Sequence, residues 1–132
     1  MNNQPIVSFD FDSTLNRPDI TDFCKSLIKK GIIVWVVTSR ASTDNQPNWI
    51  INGIKSKRGN DDLFYLTDKL GIPRDRIVFT NHDFKTKFLP KGCIWHLDDD
   101  WTEINDINSN SGIKGISQFG NKNWKQDCLS LL

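Results

Sequence analysis

Asp10 and Asp12 stand two apart in Ser8-Phe9-Asp10-Phe11-Asp12-Ser13-Thr14, directly after the apolar run that starts at Ile6. A second acidic cluster, Asp98-Asp99-Asp100, directly follows another such run, Cys93 to Leu97. Between them lie Thr38-Ser39-Arg40, at the end of the most apolar stretch of the chain, and two lysines, Lys85 and Lys87. Carboxylates gathered in one place repel and raise one another's pKa unless a cation lies between them. Hard oxygen donors of this kind suit Mg²⁺, which takes few protein carboxylates and shares its remaining coordination with water and phosphate oxygens. A metal is thus implied, and a hydroxyl and an ammonium facing it would hold other oxygens of the same phosphoryl group. One carboxylate can then attack phosphorus in line while a second, two residues along, protonates the leaving oxygen.

That chemistry requires the clusters to meet. Short apolar runs at Ile6 to Phe9, Ile32 to Val37, Ile77 to Phe79, Cys93 to Leu97 and Ile113 to Phe119 alternate with stretches of helical pattern. Asp19 or Thr21 can cap a helix carrying Phe23, Cys24, Leu27 and Ile28, which Gly31 stops. Pro47 opens a second helix through Trp49, Ile50 and Ile54. Asn60 or Asp61 caps a third that carries Leu63, Phe64, Leu66 and Leu70 and ends at Gly71-Ile72-Pro73. His82 to Leu89 reads as a helix of one or two turns. Ile32-Ile33-Val34-Trp35-Val36-Val37 has the unbroken apolar character of a strand buried on both faces of a parallel sheet. The expected fold is therefore α/β: one doubly wound, largely parallel sheet of about five strands with helices on both faces. In such sheets ligands bind beyond the carboxyl ends of the strands, where all four polar clusters fall.

The chain has 132 residues, enough for one domain, and 17 Lys plus Arg against 16 Asp plus Glu, so no overall field draws it to nucleic acid or an acidic membrane. Cys24, Cys93 and Cys128 form no CxxC pair and no zinc-ligand spacing, which favours a reducing, cytoplasmic setting. A positive, apolar leader and a membrane-length apolar run are both missing. Neither a P-loop nor a GxGxxG motif is present, so nucleoside triphosphate or dinucleotide cofactors have no support.

These residues resemble the haloacid dehalogenase-like phosphohydrolases, over most of the chain and in order. The family's apolar strand followed by DxDx[TV] looks like Val7-Ser8-Phe9-Asp10-Phe11-Asp12-Ser13-Thr14, and its strand ending in Thr or Ser looks like Val34-Trp35-Val36-Val37-Thr38. Its lysine followed by a strand ending in paired acids looks like Lys85-Thr86-Lys87-Phe88-Leu89, then Ile94-Trp95-His96-Leu97-Asp98-Asp99. The resemblance implies that Asp10 is a nucleophile forming an aspartyl-phosphate and Asp12 the general acid, later the base for water. Asp10, the Asp12 carbonyl, Asp98 and Asp99 would hold Mg²⁺. Thr38, Ser39 and a lysine would bind phosphoryl oxygens; Lys85 fits the pattern slightly better than Lys87.

Residues 13–37 have room for only one helix and the next strand, and the reading of residues 39–84 as two helices and a strand leaves little for a cap. The expected domain, residues 1–132, is thus a capless phosphomonoester hydrolase with an open site, which a partner or oligomer could cover. It could admit a nucleotide, another small phosphorylated molecule or a nucleic-acid end, with Arg40 as a phosphate-binding rim cation and Trp49 and Trp101 as stacking surfaces. Glu103 has helical spacing to Asp99 and can add a supporting carboxylate, whereas His96 reads as structural. Two other classes stay in view, a phosphoacceptor receiver and a non-catalytic module for phosphorylated polymer ends. The order of the acidic clusters argues against the first, and an intact Asp12 against the second.

Overall fold

The structure, a computed structural model, describes residues 4–42, 48–51, 54–57 and 59–132, with backbone alone for 48–51 and 54–57. In chain order the elements are β1 (Ile6–Phe9), α1 (Pro18–Lys29), β2 (Ile33–Thr38), β3 (Asn48–Ile51), β4 (Ile54–Lys57), α2 (Asp61–Leu70), β5 (Ile77–Phe79), β6 (Cys93–Asp98), α3 (Trp101–Asn110), β7 (Lys114–Ser117) and α4 (Trp124–Ser130). Five strands form one sheet in the order β5-β2-β1-β6-β7, every neighbouring pair parallel. This is the α/β parallel architecture that the alternating pattern requires, with β1 at the centre, where Val7, Ser8 and Phe9 are all fully buried.

The helices follow local chemistry. α1 starts at Pro18, not at a cap on Asp19 or Thr21 as expected, because a proline at the first helical position has its φ preset and lacks only an N–H that would be unpaired anyway. α1 and α2 both stop where a glycine takes a positive φ, Gly31 at 84° and Gly71 at 79°. The following Ile32 and Ile72 amides then bond back to Leu27 and Thr67, which satisfies carbonyls the helix ends leave open. Phe9, Phe23, Trp95 and Trp124 form one aromatic cluster with centroids 5.3–6.4 Å apart. The fully buried Trp95 indole donates to the Cys128 carbonyl at 3.1 Å.

Two further segments differ from expectation, the first in kind and the second in length. The helix from Pro47 through Ile54 is instead an antiparallel β3–β4 hairpin with Ile51 opposite Ile54; Pro47 itself lies outside the described residues. The intervening Asn52-Gly53 is the strongest short hairpin signal a sequence carries, and the β-branched residues beside it favour strands. The segment from His82 to Leu89 holds only one 3₁₀ turn, Thr86–Phe88. No helix of the described residues is long and apolar enough to cross a membrane.

Candidate functional site

A cavity of about 390 Å³ opens where β1, β2, β5 and β6 end, lined by residues that follow each of them, among them Asp10, Ser39, Lys85 and Asp98. Asp10 leaves β1 in extended conformation, its N–H bonded to the Leu97 carbonyl at 2.9 Å, so the strand pairing itself sets it beside the end of β6. The chain then turns sharply. Asp12 is extended and Ser13 takes a positive φ of 60°, after which Leu15 bonds back to the Asp10 carbonyl at 3.1 Å. Phe11 and Leu15 go into the core while Asp12, between them, stays exposed. Gln118, just past β7, donates to the Ser13 carbonyl at 2.6 Å and fixes this turn from the far side of β6.

Lys85 is the centre of the site. Its side chain is only 2% exposed, and Nζ donates to Asp10 Oδ1 at 2.8 Å and to Asp98 Oδ2 at 2.6 Å. Its own N–H donates to Glu103 Oε1 at 3.1 Å, so α3 holds the lysine in place. Burial alone would push the Lys85 ammonium down, but Asp10 and then Asp98 outweigh it and its pKa is raised. Asp10 is raised well above its ordinary 3.8, first by burial and then by repulsion from Asp98, despite Lys85. Burial also works to raise Asp98, yet the hydrogen bond from His96 and the charge of Lys85 hold it well below the usual carboxylate range.

Asp98 is held from four directions. Oδ1 accepts the Asp99 and Asp100 amides at 2.8 and 3.1 Å; Oδ2 takes Lys85 and the ring of His96, whose Nε2 lies at 2.8 Å. His96 is fully buried, which lowers its pKa and leaves it neutral near pH 7. With Nε2–H donating to Asp98, Nδ1 accepts from the Ser8 hydroxyl at 2.8 Å. His96 thus supports Asp98 from within the core, and the two share a face because they stand two apart on one strand.

Asp10, Asp98 and Asp99 each offer a carboxylate oxygen, all three within 4.8 Å of one another. A divalent ion with bonds of about 2.1 Å would span such a set after a small inward shift. Burial and repulsion disfavour the charged form of Asp10, and a cation between these oxygens would favour it again, so the donor chemistry fits Mg²⁺. Asp99, whose pKa is raised chiefly by burial, lines the cavity, while Asp100 caps α3 by accepting from the Thr102 amide at 2.9 Å.

The other expected residues divide. Ser39 lines the cavity, whereas Thr38 is fully buried at the end of β2 and accepts the Arg40 amide on its hydroxyl at 3.3 Å. Lys87 is 65% exposed and paired with Asp83 at 2.6 Å, so of the two lysines only Lys85 reaches the carboxylates. Arg40 sits at the rim with its guanidinium taken up by Asp12, Asp62 and Asn60. Trp101 opens α3 and faces a separate groove beside β7 and α4, not this cavity, and the Trp49 side chain lies outside the described residues. His82, at a φ of 66°, and the half-exposed Phe84 line the mouth. Asp62, Asn60 and Gln118 had no signal in the sequence, since each reaches the site only through tertiary packing.

No protein-family model matches the chain, and neither does any curated protein or solved structure. The fold and the site therefore define the class by themselves: a parallel α/β domain with a lysine-bridged carboxylate cluster at the carboxyl edge of its sheet.

Proposed function

We propose that this chain is a Mg²⁺-dependent phosphomonoester hydrolase of the haloacid dehalogenase-like type, working through an aspartyl-phosphate on Asp10. The observation that carries the reading is the meeting of Asp10, Asp98 and Asp99 around one point, with the buried ammonium of Lys85 bridging two of them. Asp10, the Asp12 carbonyl, Asp98 and Asp99 would hold the ion, which neutralises charge on the carboxylates and on the phosphoryl oxygens. Ser39 and Lys85 face the space a phosphoryl group would enter; Thr38 supports that corner from beneath. An Asp10 oxygen attacks phosphorus and the bond to the leaving oxygen breaks, its electron pair going to that oxygen, which takes the Asp12 proton. Water then attacks phosphorus, Asp12 accepts its proton, and Asp10 is released as carboxylate with free phosphate.

The substrate is a phosphorylated small molecule or a nucleic-acid end presented at an open mouth, which a partner or second copy could cover. Among the described residues Lys85 is the one lysine or arginine lining the cavity, so the site gives a long polyanion little to hold, and small phosphomonoesters are the better fit. Free, buried Cys24, Cys93 and Cys128 support a reducing, cytoplasmic setting. The test is hydrolysis of para-nitrophenyl phosphate with Mg²⁺, with EDTA, and by Asp10→Asn. Turnover is expected only for the wild-type chain with the metal. Activity that persists in EDTA or in Asp10→Asn would remove the assignment.

A further inference from the structure

Arg40 looks in the sequence like a phosphate-binding cation, yet its donors are already used. A guanidinium carries five N–H donors. Nε and Nη2 of Arg40 donate to Asp12 at 2.9 and 2.6 Å, Nη1 and Nη2 to Asp62 at 2.8 and 2.9 Å, and Nη1 to Asn60 at 3.3 Å. None is left for a substrate. The guanidinium carbon lies 5.0 Å from the centre of the Phe11 ring, within range of a cation–π contact. Asn60 is fully buried and also donates to the Ala41 carbonyl at 3.0 Å, tying the segment after β2 to the start of α2. Asp62 stands in the first turn of that helix. Among the described residues Arg40 is the hydrogen-bond partner of the Asp12 carboxylate, which is itself 51% exposed.

We propose that Asp62 and Arg40 are positioning residues for Asp12: together they form a strut from α2 that aims the Asp12 carboxylate over the cavity, and neither binds the phosphoryl group. This rests on the phosphatase reading, in which Asp12 takes up a proton on one oxygen, in place of one of its two Arg40 hydrogen bonds, and delivers it to the leaving oxygen as the bond from phosphorus to that oxygen breaks. An exposed carboxylate without the strut samples several rotamers, and a proton donor displaced by an ångström or so loses much of its effect. The strut therefore matters for substrates whose leaving group cannot depart as an anion. An alkoxide needs that proton; para-nitrophenolate does not. The inference deepens the proposed function by making the enzyme's competence toward alkyl phosphates, such as sugar and glycerol phosphates, depend on a residue in α2.

The experiment measures kcat/KM, which covers the steps up to departure of the leaving group, for glycerol phosphate and for para-nitrophenyl phosphate. Asp62→Ala, and Arg40→Lys, which keeps the charge but not the planar fork, are expected to lower kcat/KM on glycerol phosphate about tenfold or more. On para-nitrophenyl phosphate each should change it by less than about threefold, and Asp12→Asn should show the same selectivity more strongly. Asp62→Glu, which keeps the carboxylate, should recover most of the loss. Asp62 is 62% exposed, so these variants are expected to fold, and circular dichroism checks that they do. Equal losses on both substrates would overturn the proposal and mark Arg40 as a phosphate ligand or the pair as merely structural. Undiminished turnover of glycerol phosphate by Asp62→Ala would overturn it too. A wild-type chain inactive on both esters would remove the phosphatase reading itself, and the strut with it.

Discussion

Three carboxylates and one ammonium meet at the cavity, Asp10, Asp98 and Lys85 buried and Asp99 partly exposed, and their titration is the property of the site most open to measurement. Asp10 is raised by burial and by Asp98, while Asp98 is held low and stays ionised across the working range. Without an ion, protonated Asp10 contributes stability that is fully present below its ordinary 3.8 and is lost as pH rises through its raised value. A divalent ion requires the ionised form, so it competes with that proton. The gain in Tm on adding Mg²⁺ is therefore expected to grow as pH rises through the raised pKa of Asp10. Taking the difference between Tm with Mg²⁺ and Tm with EDTA at each pH cancels groups remote from the ion. A flat or falling difference would mean that the ion does not use Asp10. At this scale the sequence was most informative where chemistry is local. Asp10 with Asp12, and Asp98 with Asp99, are legible because each pair directly follows a strand, and strand ends meet at one edge of a parallel sheet. Lys85 and Lys87 were separable only once the 3₁₀ turn had directed one inward and the other to solvent. The Arg40–Asp62 pair was illegible, since nothing in a 22-residue separation says that the two meet.

At the scale of elements, the position of Asp98-Asp99-Asp100 depends on how closely α3 lies against β7. A Cβ added to Gly115, on β7, would stand 3.0 Å from the Ile104 carbonyl oxygen and 3.3 Å from its Cα, both backbone atoms that cannot swing away. Asn108 of α3 further bonds the Gly115 amide at 2.8 Å and its carbonyl at 3.2 Å. Gly115→Ala therefore pushes the helix off the strand and is expected to cost about 1–3 kcal/mol in urea unfolding. Gly112→Ala, with nothing within 4 Å of its new methyl, should stay within about 0.5 kcal/mol. If the two variants unfold alike, the contact is looser than the geometry indicates. Because α3 begins directly after Asp98-Asp99-Asp100 and supplies Glu103 to Lys85, Gly115→Ala should also weaken Mg²⁺ binding. The five strands of the sheet were legible from their short apolar runs, least clearly β7, and α1 and α2 from their glycine stops. The β3–β4 hairpin was not, because a short apolar run such as Trp49-Ile50-Ile51 satisfies a helix and a strand period equally, and only Asn52-Gly53 decides between them.

For the molecule as a whole, the sheet order places the site at the seam where the chain reverses direction across the sheet. From β1 the chain builds outward through β2 to β5, then crosses back to add β6 and β7 on the other side. Lys85 lies on that crossing segment and reaches under both halves, to Asp10 after β1 and to Asp98 after β6. In a metal-free chain, at a pH above the raised pKa of Asp10, it is the countercharge that lets two buried carboxylates sit side by side. Lys85→Met keeps the length and apolar stem of the side chain but leaves Asp10 and Asp98 facing each other, the situation in which a broken buried ion pair costs about 3–5 kcal/mol. The variant is accordingly expected to unfold at markedly lower urea concentration than the wild-type chain in EDTA. A divalent ion between the same oxygens would supply the missing charge, so Mg²⁺ should restore more stability to Lys85→Met than it adds to the wild-type chain. Equal gains in both would mean that the ion and the ammonium answer to different carboxylates, and a variant unaffected in EDTA would mean that Asp10 had already taken up a proton in place of the lysine's charge. The larger rescue follows only if the lysine and the metal serve the same charges at the seam between the two halves of the sheet.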